Sequence, residues 1–313
     1  MMQRVAVTGA GGFLGAALVR RLLQDGAEVL ALVRPGGSRE RLAAVESSPG
    51  LRIAALDVDA LADAGGRARA AEALRAFAPS ALVHAAWTGV RGAARQDVAQ
   101  HRNVGATVAL LEGAADAGAG RFVGLGSQAE YGPRDAAISE DDVPRPTSVY
   151  GAAKVAAGHL VLAIAPRLGV SAAWARVFSL YGPGEAPGAL VPDLAAALLA
   201  GRDLPLGSGE QRWDYLHVDD AADALARLAM TREATGFFNV GSGRVVRVRD
   251  VAERLVALAA PGARLSFGAR PDGDLVHLEA QVERLRRHTG WQPRVELDAG
   301  LAAVVAAARR ATP

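Results

Sequence analysis

The chain contains no cysteine, which removes disulfides, thiolate nucleophiles and cysteine-ligated zinc from the possible chemistries. Lysine is nearly absent as well. Of 35 basic residues, Lys154 is the only lysine and the rest are arginines. No stretch of about 18 apolar residues, the length of a membrane-crossing helix, occurs, and there is no Pro-rich linker, internal repeat, low-complexity segment or charged tail. The N-terminus is charged once, at Arg4, and soon becomes glycine-rich, unlike a signal sequence. A cytoplasmic protein without a membrane partner is expected. Basic and acidic residues nearly cancel at a net charge of +2, so no basic field favours nucleic acid as a partner. The six histidines show no metal-ligand spacing, and no metal is expected.

What is present reads as an α/β enzyme. The 313 residues, half of them hydrophobic, suffice for one large or two closely joined domains. Arg4 to Thr8 is a β-rich apolar run that leads into Gly9-Ala-Gly-Gly12-Phe13-Leu14-Gly15 and then an apolar-periodic helix from Ala16 to Gln24. This is strand, glycine turn, helix. Glycines there let the backbone approach a pyrophosphate, and the helix N-terminus offers free N–H donors and the positive end of a dipole. Strands follow at Glu28 to Val33, Leu51 to Leu56, Ala81 to Ala86, Arg121 to Gly126 and Val170 to Arg176, with helices over Ala60 to Ala78 and Val98 to Ala115. After the second strand, where an NAD site places an acid for the ribose 2′-hydroxyl, stands Arg34, followed by Ser38 and Arg39. Arginine suits a 2′-phosphate, so NADP(H) is favoured as cofactor and NAD(H) remains possible.

Asp57 and Val58 follow the third strand, where a carboxylate and a backbone can meet an adenine edge. After the fourth comes the loop Trp87 to Arg91, on the usual ligand side of an open sheet, with Thr88 and Arg91 as candidate substrate contacts. His84 reads as a core or supporting histidine. The fifth strand delivers Ser127 to the same edge. Its setting lacks the elbow of a serine nucleophile, but its hydroxyl can donate to a substrate carbonyl.

Ser148 to Lys154 organises the rest. If Ser148 caps a helix, Tyr150 and Lys154 share one face a turn apart. A phenol titrates near 10, and a neighbouring cation lowers it toward the range useful for proton exchange at neutral pH. The expected catalytic set is therefore Ser127, Tyr150 and Lys154.

Taken together, Thr8 to Gly15, Asp57-Val58, His84-Ala85-Ala86, Asn103, Ser127 four residues before Tyr131-Gly132, and Tyr150 with Lys154 resemble the extended short-chain dehydrogenase/reductase family, in the branch that acts on nucleotide sugars. The resemblance covers nearly the whole chain. It implies a Rossmann doubly wound parallel sheet with a smaller, discontinuous C-terminal substrate lobe: residues 1-176 plus 213-241 in the dinucleotide-binding domain, and 177-212 plus 242-313 in the nucleotide-sugar lobe. It also implies that Lys154 holds the nicotinamide ribose, that Tyr150 is the acid/base and Ser127 orients the reacting oxygen, and that Ala85, Ala86 and Asn103 lie against the cofactor. A homodimer through helices around 93 to 117 and 148 to 168 is implied as well.

The C-terminal half departs from the family in places. Ser179 stands where relatives usually carry Asn, and Trp213 where they commonly carry Arg, with Arg212 one place off. Arg270 begins a segment resembling the family's diphosphate-binding loop, and an arginine fork suits a diphosphate. Asp219-Asp220 is expected to cap the helix from Ala221 to Met230.

Such relatives include 4,6-dehydratases, in which an acid pair directly follows the Ser/Thr; here Gln128 and Ala129 stand there. Epimerising reductases of the fucose-synthase type use a cysteine, absent here. What remains is a 4-ketoreductase acting on an NDP-4-keto-6-deoxyhexose with NADPH, the favoured reading given Arg34, or an NDP-sugar 4-epimerase. A non-catalytic dinucleotide sensor on the same fold stands third, because both Tyr150 and Lys154 are present.

Overall fold

The computed structural model describes residues 3–268 and 277–311. A seven-stranded sheet carries the molecule: β1 (Arg4–Thr8), β2 (Glu28–Val33), β3 (Leu51–Ala55), β4 (Ala81–His84), β5 (Arg121–Ser127), β6 (Ser171–Val177) and, from farther along the chain, Gly236–Val240. Between the strands run α1 (Phe13–Gln24), α2 (Ala64–Phe77), α3 (Gln100–Asp116) and α4 (Val149–Ile164). The remaining elements are β7 (Ser179–Tyr181), α5 (Leu190–Leu199), β8 (Arg212–His217), α6 (Val218–Met230), the seventh strand as β9, β10 (Val245–Arg247), α7 (Val248–Ala259), β11 (His277–Leu278), α8 (Glu283–Thr289) and α9 (Leu297–Ala311).

Strand order in the large sheet is β3-β2-β1-β4-β5-β6-β9, with every pairing parallel. The order reverses on either side of β1, where β2 and β4 flank it, and that switch point opens a crevice at the strands' C-terminal ends. The fold class is therefore the Rossmann doubly wound sheet. Its two faces are covered by separate apolar clusters, one built around Val5, Val7, Leu18, Leu22 and Leu225, the other around Ala6, Leu74, Leu111, Phe122 and Trp174. Alternation along β1 sends Val5 and Val7 to one and Ala6 to the other, as a sheet buried on both faces requires.

A smaller sheet, β10-β8-β11 with β7 alongside β8, carries a third cluster that includes Tyr181, Leu194, Tyr215, Leu255 and Leu301. Of residues 213 to 241, α6 packs on α1 and β9 closes the large sheet, whereas β8 belongs to the small one.

Two helix starts differ from the sequence reading. Ala60 to Ala78 is not one helix: a short 3-10 turn precedes Asp63, whose Oδ1 accepts from Gly66 N at 2.7 Å and starts α2 afresh. The cap of α6 is His217, whose Nδ1 accepts from Asp219 N at 3.3 Å. Asp219 and Asp220 lie inside the first turn. Buried Asp220 instead accepts from Arg294 N and Val295 N at 3.0 and 2.9 Å, while Trp291 Nε1 donates to its carbonyl at 3.0 Å, so this acid fastens the C-terminal segment.

Candidate active site

The proton-handling cluster forms where β5 ends against the first turn of α4. Ser148 Oγ accepts from Gly151 N at 3.1 Å and fixes where the helix begins, which sets Tyr150 and Lys154 on its buried face. They are 7% and 4% exposed. The Lys154 ammonium donates to Leu125 O at 2.6 Å, lies 3.6 Å from the Trp87 ring centre and 5.9 Å from that of Tyr150. The Ser127 side chain approaches the Tyr150 hydroxyl closely enough to lower the phenol. The three expected residues are thus brought together.

Their electrostatics differ from the expectation. Burial pushes the Tyr150 phenol above its ordinary value, opposed by the Ser127 side chain and by the charge of Arg95. Burial likewise pulls Lys154 down to about 7. A low-dielectric site penalises both charged forms, so Lys154 does not hold Tyr150 as a tyrosinate here. The phenol is kept protonated, the form that can donate.

Behind Ser127 a buried carboxylate organises the strand ends. Glu130 accepts from Ser127 N at 2.9 Å, from Trp174 Nε1 at 2.9 Å and from Arg176 Nε at 2.8 Å. Arg176 continues to Tyr131 Oη at 2.9 Å, and Tyr131 donates to Asn239 Oδ1 at 2.7 Å. A fully paired buried network of this kind fixes one arrangement of β5, β6 and β9.

His84 plays the supporting part expected of it. Burial, with the charge of Lys154, lowers it to about 3, so the ring is neutral. One assignment of protons satisfies its surroundings: Thr107 donates to Asn103 O at 2.7 Å and accepts from His84 Nε2 at 3.1 Å, while Thr8 donates to Nδ1 at 2.8 Å and accepts from Ala86 N at 3.1 Å. The ring thereby holds β1, β4 and α3 in register beneath the glycine turn.

That turn borders a cleft of about 680 Å³ lined by Gly9, Gly11, Gly12, Phe13, Leu14, Gly15, Val33, Arg34, Ser38, Arg41, Asp57, Val58, Ala85, Ala86, Trp87, Thr88 and Arg91, among others. Side chains are excluded at two of the glycines: a Cβ on Gly9 would lie 2.8 Å from Ala86 N, and one on Gly11 2.8 Å from Ser38 O. Gly12 caps α1 without a side-chain bond, so the first N–H groups of α1 keep their donors for a ligand. A nicotinamide dinucleotide fits this lining, the open amides suiting its pyrophosphate, and exposed Arg34 and Ser38 and the Asp57-Val58 turn border the same cleft. Asp57 Oδ1 also accepts from Asp59 N at 3.0 Å, which fixes the turn.

Several residues expected to contact a ligand also make contacts within the protein. Asn103 is buried, its Oδ1 accepting from Thr88 N at 2.8 Å and its Nδ2 donating to Thr88 O at 3.1 Å, so it holds the loop after β4. Arg91 Nη1 donates to Ala186 O and Pro187 O at 3.1 and 2.7 Å, tying that loop to the chain after β7. Arg41 does the same through Gly184 O, at 3.0 and 2.8 Å. Ser179 accepts from Gln128 Nε2 at 3.2 Å, beside Ser127. Trp213 is half-buried with its Nε1 unpaired among the described residues, and Arg212 is exposed on β8. The Arg270 segment lies outside the described residues. Sequence reasoning missed Glu130, Arg41 and Arg95; nothing local marks an arginine in a chain with 34 of them.

The chain matches the NAD dependent epimerase/dehydratase family over residues 5–241. It is 32% identical over 312 residues to a UDP-glucose 4-epimerase of Mycolicibacterium smegmatis, covering 96% of this chain and 97% of that one. It is also 32% identical over 303 residues to a dTDP-6-deoxy-L-talose 4-dehydrogenase (NAD(P)(+)) of Kitasatospora kifunensis, covering 93% and 91%. Among solved structures, MoeE5 in complex with UDP-glucose and NAD superposes with a TM-score of 0.83 at 33% identity, over 99% of this chain and 100% of that one. End-to-end matches of this kind, joined to the glycine turn and the Ser-Tyr-Lys cluster, make the chain a member of the NAD dependent epimerase/dehydratase family, the nucleotide-sugar branch of the extended short-chain dehydrogenases/reductases.

Proposed function

We propose that this protein reduces the C4 ketone of a nucleotide-diphosphate 4-keto-6-deoxyhexose, with NADPH as the favoured reductant. The observation that carries the reading is buried Tyr150, set beside half-buried Ser127 and buried Lys154 and joined to the glycine-lined cleft by Trp87, which lines the cleft and stacks on Lys154. When bound, the cofactor supplies the hydride. Tyr150, kept protonated by burial, donates its proton to the ketone oxygen as negative charge gathers there. Ser127 orients that oxygen through its hydroxyl, held by the Glu130 carboxylate on its backbone N–H. Lys154 has donors left after its bond to Leu125 O, and these suit a ribose hydroxyl. Gln128 and Ala129 supply no carboxyl for removing water, which speaks against a 4,6-dehydratase. The similarity to a 4-dehydrogenase of a 6-deoxy sugar nucleotide agrees with this chemistry run in reverse.

A second reading, 4-epimerisation of an NDP-sugar, is supported by the full-length similarity to a UDP-glucose 4-epimerase and uses the same proton machinery. The two differ in cofactor turnover. A reductase consumes one NADPH per ketone, whereas an epimerase regenerates its cofactor within each cycle. Incubation with NADPH and a panel of NDP-4-keto-6-deoxyhexoses, following the absorbance of reduced nicotinamide, should show stoichiometric loss; interconversion of NDP-hexose 4-epimers without net loss would favour the second reading.

The nucleotide-sugar lobe of this proposal is built on the small sheet, with Ser179 and one of the β8 neighbours Arg212 and Trp213, whose side chains point to opposite faces, toward the substrate. A homodimer through α3 and α4 is part of the same reading, supported by exposed Leu160 on α4 and by exposed Val98 and Leu168 just outside the two helices. The helical stretch Val149–Leu168 is long and apolar enough to cross a membrane by length and composition. Its packing against α3, β5 and β6 and its cargo of Tyr150 and Lys154 favour a helix of a cytoplasmic enzyme.

A further inference from the structure

The loop between β4 and α3 places a second cation on the Tyr150 ring. The guanidinium carbon of Arg95 lies 4.3 Å from the ring centre, closer than the Lys154 ammonium at 5.9 Å. Its placement is braced from three sides. Gln100 Nε2 donates to Gly89 O at 2.7 Å and to Ala94 O at 2.9 Å, Gln96 Oε1 accepts from Val149 N at 3.2 Å in the first turn of α4, and Arg95 Nη1 donates to Val90 O at 3.3 Å. Among the described residues Arg95 forms no ion pair.

Among the described residues, three charged groups approach Tyr150. Lys154 lies one turn along α4, its ammonium committed to Leu125 O and the Trp87 face. Glu130 stands behind Ser127, and Arg176 pairs with it. Arg95 approaches from the β4–α3 loop. Lys154 titrates at about 7 in this burial, so its charge fades across the working range of an enzyme at neutral pH. A guanidinium does not lose its proton. Arg95 is therefore the cation near this phenol whose charge is constant and not cancelled by a carboxylate partner.

We propose that Arg95 is a positioning residue for the proton donor: stacked on the face of Tyr150, its guanidinium holds the ring toward Ser127 and stabilises the phenolate left when the proton is given up. This rests on the reading of Tyr150 as the donor. It adds a residue outside the Ser-Tyr-Lys set and accounts for how a buried phenol can release a proton. The direction agrees with the effect of Arg95 on the phenol, which is to lower it against the pull of burial.

The test needs no substrate. The other three tyrosines, Tyr131, Tyr181 and Tyr215, are all held above their ordinary values by burial. The phenolate absorbance of the protein minus that of its Tyr150→Phe variant isolates the Tyr150 titration. Arg95→Met should move its midpoint upward by about one pH unit, and Arg95→Lys, which keeps the charge but not the planar stack, by less than half of that. An unmoved midpoint in Arg95→Met overturns the proposal. In turnover, Arg95→Met should be about tenfold slower at neutral pH, with the alkaline limb of the pH profile displaced upward by the same amount as the phenolate midpoint. A slower enzyme with both curves in place would make Arg95 a loop brace only, and would also overturn it. If no sugar nucleotide is turned over by the unaltered protein, the proposed reaction fails, while the phenolate midpoint still decides the place of Arg95.

Discussion

The two ends of the cofactor cleft are built by opposite means. At the proton-transfer end, Tyr150 and Lys154 are buried, and Glu130, Arg176, Tyr131 and Asn239 lock the strand ends around them. At the adenosine end, Arg34 and Ser38 sit exposed on a loop after β2. Chemistry at the first end is embedded in the core and inseparable from the packing that makes the fold. On the proposed reading, cofactor choice at the second rests on side chains the core does not need, and altering them should cost little stability.

Substitutions at the two ends sharpen that contrast. Tyr150→Phe removes the donor and little volume: turnover should fall about a thousandfold while cofactor affinity, measured by fluorescence titration, stays nearly unchanged. Equal activity would remove Tyr150 from the mechanism. A smaller effect, visible only at the buried end, concerns pH. In the cofactor-free protein Lys154 takes up its proton only below about 7, whereas the unfolded chain does so below its ordinary 10.5. Between these values the unfolded state binds more protons, so stability rises with pH, by at most about 1.4 kcal/mol per pH unit. Below 7 the penalty is full and constant, and above 10.5 it is gone. Denaturant titrations across this window should show the rise in the unaltered protein and its loss in Lys154→Met. At the open end, Arg34→Asp should weaken NADPH about tenfold and leave NADH and thermal stability nearly as they were; equal losses for both cofactors would refute the 2′-phosphate role.

The same contrast explains what could be read from the chain. The strand, glycine turn and helix from Arg4 to Gln24 were legible because backbone geometry dictates residue type there, and Tyr150 with Lys154 because helical spacing puts them on one face. Glu130 was not, since its partners Trp174 and Arg176 lie on β6, more than forty residues away, and only the sheet register aligns them. Nor was the bracing role of Asn103, which depends on where the Thr88 backbone returns. The acidified phenol expected from the Tyr-Lys spacing failed for a physical reason: spacing gives proximity but says nothing of burial, and burial dominates here. Strand β8 was not read as an element, and its place in the small sheet depends on neighbours that a strand's own pattern does not name.

One measurement bears most directly on the claim that Tyr150 and its neighbours serve ketone reduction. The protein is given NADPH carrying deuterium at the transferable position, together with an NDP-4-keto-6-deoxyhexose, and the product sugar is weighed by mass spectrometry. Reduction as proposed places a single deuterium at C4 of every product molecule, and Tyr150→Phe suppresses the signal. A keto sugar recovered unreduced with NADPH unspent, while an NDP-hexose given to the same enzyme is converted to its 4-epimer, would contradict it.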